Sequence, residues 1–288
     1  MWILLAFGSA FFAALTAILA KIGLGKMNST LATAIRTIVV LLFAWLMVFV
    51  SGQYRPLSEI SGSTMLFLVL SGLATGASWL CYFHALQIGP VSSVAAVDKS
   101  STVLTILLAL IFLHEPLTWA KGIGVAMIAA GTWMMLGIQK GIDEPDDKKG
   151  TGWLLFAFGA AVFAALTAIL GKVGMEDIPS NLGTAIRTAV VLVMSWIMVL
   201  VSGTGKEMKQ VTGKEVLFLI LSGLATGGSW LCYYHALQLG QASVVVPIDK
   251  LSLLVTVLLS WLFFRERLSR RSAIGLAIVT IGTLVMLI

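Results

Sequence analysis

The string FAALTAIL at residues 12–19 occurs again, letter for letter, at residues 163–170. The same offset of 151 residues relates two further pairs of strings: TAIRT at 33–37 and 184–188, and LSGLATG at 70–76 and 221–227. Self-similarity at a fixed spacing is typical of a repeat architecture. Because the offset is constant, the two halves of the chain align without a gap, and we expect both to form the same structure.

The composition is that of a protein whose solvent is the lipid bilayer. Of 288 residues, 59% are hydrophobic and 11% are charged, a balance too apolar for a soluble domain of this size. Apolar runs of about 20 residues, the length that crosses a hydrocarbon core, recur along the whole chain. The first run, Trp2 to Ala20, has no basic segment before it and recurs in the second half, so we interpret it as a membrane span rather than a signal peptide.

Each half contains five apolar runs. We predict ten transmembrane helices, at residues 2–20, 30–50, 65–87, 92–113, 120–138, 152–171, 181–202, 216–238, 243–264 and 272–288. Because five is an odd number, the second half must enter the membrane from the opposite side. The predicted fold is therefore an all-α, polytopic membrane protein with an inverted-topology repeat of five plus five helices. Its domains are residues 1–138 and 152–288, joined by a polar linker at 139–151.

The basic residues of the loops predict the orientation in the membrane. Eleven lie in the connections after predicted helices 1, 3, 5, 7 and 9, and two, Arg55 and Lys121, lie on the opposite face. The positive-inside rule places the richer face in the cytoplasm. We therefore expect a bacterial inner-membrane protein with a cytoplasmic linker and both termini outside. The net charge of +6 comes from these loops rather than from one basic helical face, so we predict no nucleic-acid partner.

No sequence pattern for catalysis is found. The chain has no Walker A string, no nucleophile elbow and no histidine–carboxylate metal set, so neither ATP-driven transport by this chain alone nor hydrolysis is expected. Cys81 and Cys232 occupy equivalent positions inside apolar runs and lack metal-ligand spacing. We predict that the protein is not an enzyme and has no catalytic residues, bound metal or cofactor.

Charged side chains inside the apolar runs are candidates for function, because such groups are costly in lipid and usually face the bundle interior. The candidates for gates or ion pairs are Arg36, Asp98, Lys99, Arg187, Asp249 and Lys250. At a rise of 1.5 Å per residue, Arg36 and Asp98 lie roughly 10 Å below the cytoplasmic face. The repeat places Arg187 and Asp249 at the mirrored depth. We predict the pairs Arg36–Asp98 and Arg187–Asp249, which would be either permanent structural locks or gates.

Aromatic and histidine side chains of predicted helices 3 and 8 are candidates for a substrate cavity: Trp79, Tyr82, His84, Trp230, Tyr233 and His235. Anchoring at the membrane interface is the alternative for the tyrosines. A hydrogen bond to a carbonyl is the alternative to a proton relay for the histidines. Pro247 is a predicted hinge, because proline inside a helix removes a backbone hydrogen bond, whereas Ala96 stands at the equivalent position.

Three strings in helices 3, 8 and 9 resemble those of the drug/metabolite transporter superfamily, specifically its EamA-type members with two five-helix repeats. These strings are SWLCYFHALQIG at 78–89, SWLCYYHALQLG at 229–240 and VVPIDKLS at 245–252. The resemblance covers essentially the whole chain. It implies a carrier of small metabolites in the membrane.

From the repeat and this resemblance we expect a secondary transporter that exports small polar or zwitterionic metabolites, such as amino acids, by alternating access. A flippase for lipophilic drugs or lipid-linked substrates is the alternative within transport. A non-transporting structural membrane subunit is the alternative outside it. The expected partners are a small-molecule substrate and the lipid bilayer, while proton coupling and a monomeric or homodimeric state are both left open.

Overall fold

The computed structural model describes residues 2–25, 27–112, 118–135, 152–239, 245, 248–249, 251–266 and 268–286, with the backbone alone for Leu57, Lys99, Leu237 and Gln238. The described regular structure is helical. The α-helices are α1 (Trp2–Leu24), α2 (Ser29–Val50), α3 (Gly62–Ile88), α4 (Val91–Lys99), α5 (Ser101–Phe112), α6 (Trp119–Met135), α7 (Gly152–Gly174), α8 (Ser180–Ser202), α9 (Gly213–Leu239), α10 (Ser252–Phe264) and α11 (Arg270–Val285). Two short 3₁₀ helices, Leu57–Glu59 and Thr204–Gln210, lie in loops.

Most of these helices are long and apolar enough to cross a bilayer. Within the described residues, seven segments meet that requirement, with α4 and α5 counted together as Val91–Phe112, and α10 is a shorter apolar helix. Helices α6 and α11 occupy the predicted fifth and tenth spans. In lipid the backbone groups must be satisfied within the chain, which helices achieve. The protein is therefore an all-helical, polytopic membrane protein, as predicted.

The predicted fourth span is interrupted at Ser100, which the apolar pattern did not indicate. The Ser100 hydroxyl donates to the carbonyl of Val97 (2.6 Å), and Val103 N donates to Ser100 O (3.0 Å), so the chain tightens into a 3₁₀-like turn. The equivalent residue of the second half, Leu251, makes the same kind of turn, with its N–H donating to Ile248 O (3.0 Å). Because Leu251 has no hydroxyl, the interruption does not depend on one.

The two halves pack against each other through contacts that the repeat relates. Helix α1 lies against α9 and α7 lies against α3, while α2 packs on α8 and α6 on α11. Glycines permit the closest approaches. A Cβ atom at Gly72 of α3 would lie 2.9 Å from the carbonyl of Arg187 on α8, and one at Gly131 of α6 would lie 2.6 Å from the carbonyl of Gly275 on α11. The two halves are therefore joined along most of their helices.

Hydrogen bonds between loops separate the connections into two faces. Three of them join the connections after predicted helices 1, 3, 7 and 9: Gln87 Nε2 to Met27 O (2.9 Å), Asn28 N to Glu207 Oε2 (3.3 Å) and Val91 N to Glu266 Oε1 (3.1 Å). Another, from Asn181 N to Gln53 Oε1 (3.4 Å), joins the connections after predicted helices 2 and 6. This grouping is the alternation that successive membrane crossings require. Which face is cytoplasmic stays a prediction.

Candidate functional site

Two arginines are the largest side chains that the fold buries completely. Arg36 on α2 is 1% exposed and Arg187 on α8 is 0% exposed. A guanidinium group within a membrane span is costly unless other groups satisfy its charge and its N–H donors. The surroundings of these two arginines therefore define the candidate site.

The contacts of Arg36 come from both halves of the chain. Its Nη1 donates to the Thr226 hydroxyl on α9 (2.5 Å). Its guanidinium carbon lies 4.4 Å from the ring centroid of Trp79 and 4.2 Å from that of Phe83, both on α3. These distances are those of cation–π contacts. The charge is thus held by a hydroxyl of the second half and by two rings of the first.

The contacts of Arg187 are the mirror image under the repeat. Its Nη2 donates to the Thr75 hydroxyl on α3 (2.9 Å), and its guanidinium carbon lies 5.9 Å and 5.4 Å from the ring centroids of Trp230 and Tyr234 on α9. Arg187 Nη1 also donates to the Tyr234 hydroxyl. That bond has no equivalent in the first half, where Phe83 replaces the tyrosine. We refer to Arg36, Trp79, Phe83 and Thr226 as the first cluster and to Arg187, Trp230, Tyr234 and Thr75 as the second cluster.

The clusters meet at two tryptophans. The ring centroids of Trp79 and Trp230 are 5.2 Å apart, with a tilt of 42° between the ring planes. Both side chains are half-buried. These two predicted cavity residues are therefore brought together where the halves join, rather than at the membrane interfaces.

The two tyrosines are close to charges of both signs. Tyr82 is within electrostatic reach of Asp98 and of Arg36, and Tyr233 is within reach of Asp249 and of Arg187. Each tyrosine is therefore near both members of one predicted ion pair. Direct contact between the arginine and the aspartate of a pair stays a prediction.

Asp249 is held across the two halves. Its Oδ1 accepts a hydrogen bond from the Ser9 hydroxyl on α1 (2.6 Å). Asp98 is half-buried near the end of α4, and the residue of the second half that is equivalent to Ser9 is Ala160. The aspartate environments therefore differ in one hydroxyl group.

The guanidinium groups have unused donors. The Nε atoms of Arg36 and Arg187 are buried, and each lacks a hydrogen-bond partner within the part of the chain that the structure describes. Burying an N–H donor without an acceptor costs roughly 1–3 kcal/mol, and more for a charged group. Each arginine can therefore donate one more hydrogen bond, to an anionic or carbonyl ligand.

Of the remaining predicted residues, the structure describes the side chains of the two histidines. His84 Nδ1 lies 3.4 Å from the Ser29 hydroxyl, and its ring packs edge-on against Phe156 with centroids 4.4 Å apart. His235 is exposed on α9. Lys99 ends α4, and its side chain is not described. Lys250 and Pro247 lie outside the described residues.

Glu266, a carboxylate in the loop between α10 and α11, contacts the other half. Its two carboxylate oxygens accept hydrogen bonds from the backbone N–H groups of Val91 (3.1 Å) and Ser92 (3.2 Å) at the start of α4. A negative charge is favourable there, because the N-terminus of a helix carries unsatisfied N–H donors and a partial positive charge. Glu266 therefore ties the second half to the helix that carries Asp98.

Sequence reasoning missed the hydroxyl partners Thr75, Thr226 and Ser9. A signal for the threonines existed, because both lie in the repeated LSGLATG string. We used that string only to establish the repeat. Its glycines make close helix contacts. For Ser9 the only signal was its difference from Ala160.

A narrow crevice opens between α2, α8 and α9. It holds about 250 Å³ of empty space, including its open mouth, and it is lined by Val40, Phe43, Ala44, Asn181, Thr184, Gly227, Trp230 and Leu231. Most of this lining is apolar. Trp230 belongs both to the crevice and to the second cluster.

A helical membrane bundle whose two repeated halves meet around mirrored, buried charges has the architecture of a secondary transporter. The comparison with protein families agrees. Residues 1–137 and 151–288 each match the EamA-like transporter family, and the chain belongs to that family. It is a multi-pass membrane transporter.

Two relatives and one solved structure extend this result. An uncharacterized transporter encoded in the cobO 3' region of Sinorhizobium sp. is 50% identical over 134 residues, which are 46% of this chain and 93% of the relative. The relative therefore has about the length of one repeat. The uncharacterized transporter YxxF of Bacillus subtilis (strain 168) is 23% identical over 85% of this chain and 76% of its own. A crystal structure covering 99% of this chain and 95% of its own has a TM-score of 0.70 at 19% identity, which supports the fold alone.

Proposed function

We propose that the protein exports small polar or zwitterionic metabolites, such as amino acids, by alternating access. The observation that carries the proposal is the pair of mirrored arginine clusters. Each arginine bonds a threonine of the opposite half, so a movement of one half against the other must change the surroundings of both charges. An inverted repeat supplies one such arginine cluster for each side of the membrane.

The chemistry of the clusters favours a zwitterion as substrate. A guanidinium group binds carboxylates through charge-assisted hydrogen bonds, and Arg36 and Arg187 each have a buried Nε without a described partner. Asp98 and Asp249 supply a negative charge for an ammonium group. The aromatic rings of Trp79, Tyr82, Trp230 and Tyr233 would line the cavity and pack against the carbon skeleton of the substrate.

The same charges would form the gates. In the proposed cycle Arg36 with Asp98 closes the cytoplasmic side, and Arg187 with Asp249 closes the outer side, with Lys99 and Lys250 flanking them and Pro247 as a hinge. Asp249 and Arg187 each have neutral partners, namely Ser9 for the aspartate and Thr75 for the arginine. Groups with two alternative sets of partners provide the two-state element that gating needs. Proton coupling, the oligomeric state, the cytoplasmic linker and the outer termini also stay predictions.

A flippase is the second candidate, and the crevice between α2, α8 and α9 favours it. Its lining is mostly apolar, and such a groove suits an acyl chain or a lipophilic drug better than a zwitterion. A substrate entering there would reach Trp230 and the second cluster from the side.

Solute efflux from reconstituted vesicles tests the proposal. Vesicles containing the protein are loaded with labelled amino acids or with a lipophilic dye, and release is compared with that from protein-free vesicles. We expect release of at least one zwitterion, which Arg36→Gln and Arg187→Gln reduce by tenfold or more. Arg36→Lys keeps the charge but loses the fork of donors, so we expect it to be intermediate. Release of the dye alone would favour the flippase, and release of neither solute above background would contradict the zwitterion proposal.

A further inference from the structure

Asp249 lies in a group of oxygen atoms that both halves of the chain supply. Besides the bond from Ser9 Oγ to Asp249 Oδ1 (2.6 Å), Ser9 Oγ lies 3.2 Å from Ser229 Oγ. Ser229 Oγ donates in turn to the backbone carbonyl of Ser9 (3.1 Å). Ser9 is 0% exposed, and Ser229 is also buried. Two hydroxyl groups, a carbonyl and a carboxylate thus meet inside the bundle.

A further buried oxygen, close to Asp249 in the sequence, is unsatisfied. Ser252 is three residues beyond Asp249 and begins α10. Its side chain is 1% exposed, and its Oγ has no hydrogen-bond partner among the residues that the structure describes. Buried hydroxyl groups in folded proteins are almost always hydrogen-bonded, so an orphan requires an explanation such as a ligand.

The backbone between the two residues is also unusual. The tight turn at Leu251 interrupts the helix inside the predicted membrane span. Interrupted helices place backbone carbonyl oxygens where a coupling cation can bind, and carriers use them in this way.

We propose that Asp249, Ser9, Ser229 and Ser252 form a binding site for a sodium ion. Hard cations prefer oxygen ligands, and a single carboxylate balances one positive charge, which favours a monovalent over a divalent ion. Arg187, the arginine that the proposed outer gate pairs with Asp249, donates to Thr75 and Tyr234. Its positive charge is thus directed to other partners.

The repeat supplies this set of oxygen atoms around Asp249 and not around Asp98. At the position equivalent to Ser9, the second half has Ala160, which has no hydroxyl group to offer. Ser78, the equivalent of Ser229, still donates to the carbonyl of Ala160 (2.9 Å). The packing of α3 on α7 thus repeats that of α9 on α1 without the hydroxyl ligand of Ser9. One ion per chain is the expected stoichiometry.

The role of the ion rests on the proposed function, although its binding does not. Sodium bound to Asp249 would neutralise the carboxylate that the proposed outer gate pairs with Arg187. The ion and the arginine would therefore compete for one group. Such competition would couple the sodium gradient to the opening of the outer side.

Thermal unfolding of the purified protein in detergent tests the binding, with NaCl, KCl or choline chloride at equal concentration. A ligand that binds only the folded state raises the unfolding midpoint, and we expect a rise of about 3 °C in Na⁺ at roughly tenfold excess over its Kd. Asp249→Asn, Ser9→Ala and Ser229→Ala should abolish the rise. Ser78→Ala is the matched control at the equivalent position of the first half and should keep it.

Three results would overturn the sodium site. The first is an equal rise in K⁺, which would indicate a general salt effect. The second is a full rise in both Ser9→Ala and Ser229→Ala, which remain informative if Asp249→Asn fails to fold. The third is a rise in the unfolding midpoint at low pH in choline chloride, with no further rise when Na⁺ is added. That result would mean that the ligand is a proton. Sodium binding without solute release would leave the site standing and contradict the proposed export of zwitterions. Release without sodium binding would do the reverse.

Discussion

The environment of Arg36 and Arg187 shows how a membrane span can carry a buried cation. Each guanidinium has a threonine hydroxyl of the opposite half on one side and aromatic rings of its own half on the other. Cation–π contacts contribute about 2 kcal/mol or more when they are desolvated. The threonine is well placed to accept, since the Thr226 hydroxyl gives its own proton to the carbonyl of Ser222 (2.9 Å).

Replacing Thr226 by valine should destabilise the protein by about 1.5–3 kcal/mol, because the shape is kept while a charged donor loses its acceptor. The free energy of unfolding in mixed micelles, from a denaturant titration, measures this loss. Thr226→Ser keeps the hydroxyl and is the control, with a smaller loss expected. Equal losses in the two variants would mean that the methyl group, and not the bond to Arg36, stabilises the contact.

At the residue scale the sequence located the charges but not their partners. The constant offset placed Arg36 and Arg187 at equivalent depths, and the fold buries both. Their hydroxyl partners lie 190 and 112 residues away in the chain, so only the packing of the two halves reveals them. The Arg–Asp pairs are still predictions, since the described contacts of both arginines are with other groups.

Among the elements, α4 depends on a residue from outside its own half. Glu266→Gln should weaken the start of α4 by about 0.3–1 kcal/mol, because it removes the negative charge from the helix N-terminus. Hydrogen–deuterium exchange of the Val91 and Ser92 amides should become faster. Glu207→Gln is the matched control, because Glu207 accepts a bond from the Asn28 amide on the same face. Unchanged exchange in Glu266→Gln, or an equal acceleration in the control, would contradict this role.

The contact between α6 and α11 depends on glycine. Gly131→Ala should destabilise the protein by about 1–3 kcal/mol through overpacking, because the added Cβ would lie 2.6 Å from the carbonyl of Gly275. Gly122 on the same helix has nothing within 4 Å of the added atom, so Gly122→Ala should be neutral or slightly stabilising. The unfolding midpoint of each variant measures the effect. A midpoint for Gly131→Ala as high as that for Gly122→Ala would show that the helices can separate without cost.

The spans themselves could be predicted, because a bilayer demands long apolar helices and the chain provides them. The division of the fourth span at Ser100 could not, since hydropathy does not record a change of hydrogen-bond pattern. The same holds for the interruption at Leu251. Both are details of backbone geometry beside an aspartate.

For the whole molecule, the loop contacts establish which connections share a face, and the basic residues predict which face is cytoplasmic. A cysteine placed at Asp146, which lies outside the described residues, should therefore resist an impermeant thiol reagent in intact cells. Cys81 and Cys232 would first be replaced by serine. A cysteine at Glu59, between α2 and α3, should be labelled and is the control. Labelling at position 146 without labelling at position 59 would reverse the orientation.

Alternating access requires that the two sides of the protein open and close in opposite directions. Removing one partner of a buried ion pair costs about 3–5 kcal/mol, which approaches the roughly 5.5 kcal/mol that takes a two-state equilibrium from 1:99 to 99:1. Asp98→Asn should therefore favour the inward-open state, and Asp249→Asn the outward-open state. Ser29 and Ser180 are suitable reporters, because both are buried and occupy equivalent positions at the starts of α2 and α8 on opposite faces.

The most direct test is therefore the labelling rate of single cysteines at Ser29 and Ser180 in each aspartate variant, in a background without Cys81 and Cys232. We predict that Asp98→Asn raises the rate at position 29 and not at 180, and that Asp249→Asn does the reverse. If both variants shift the two positions in the same direction, or if neither position changes while the protein stays folded, the charged clusters are structural locks and the protein does not gate in this way.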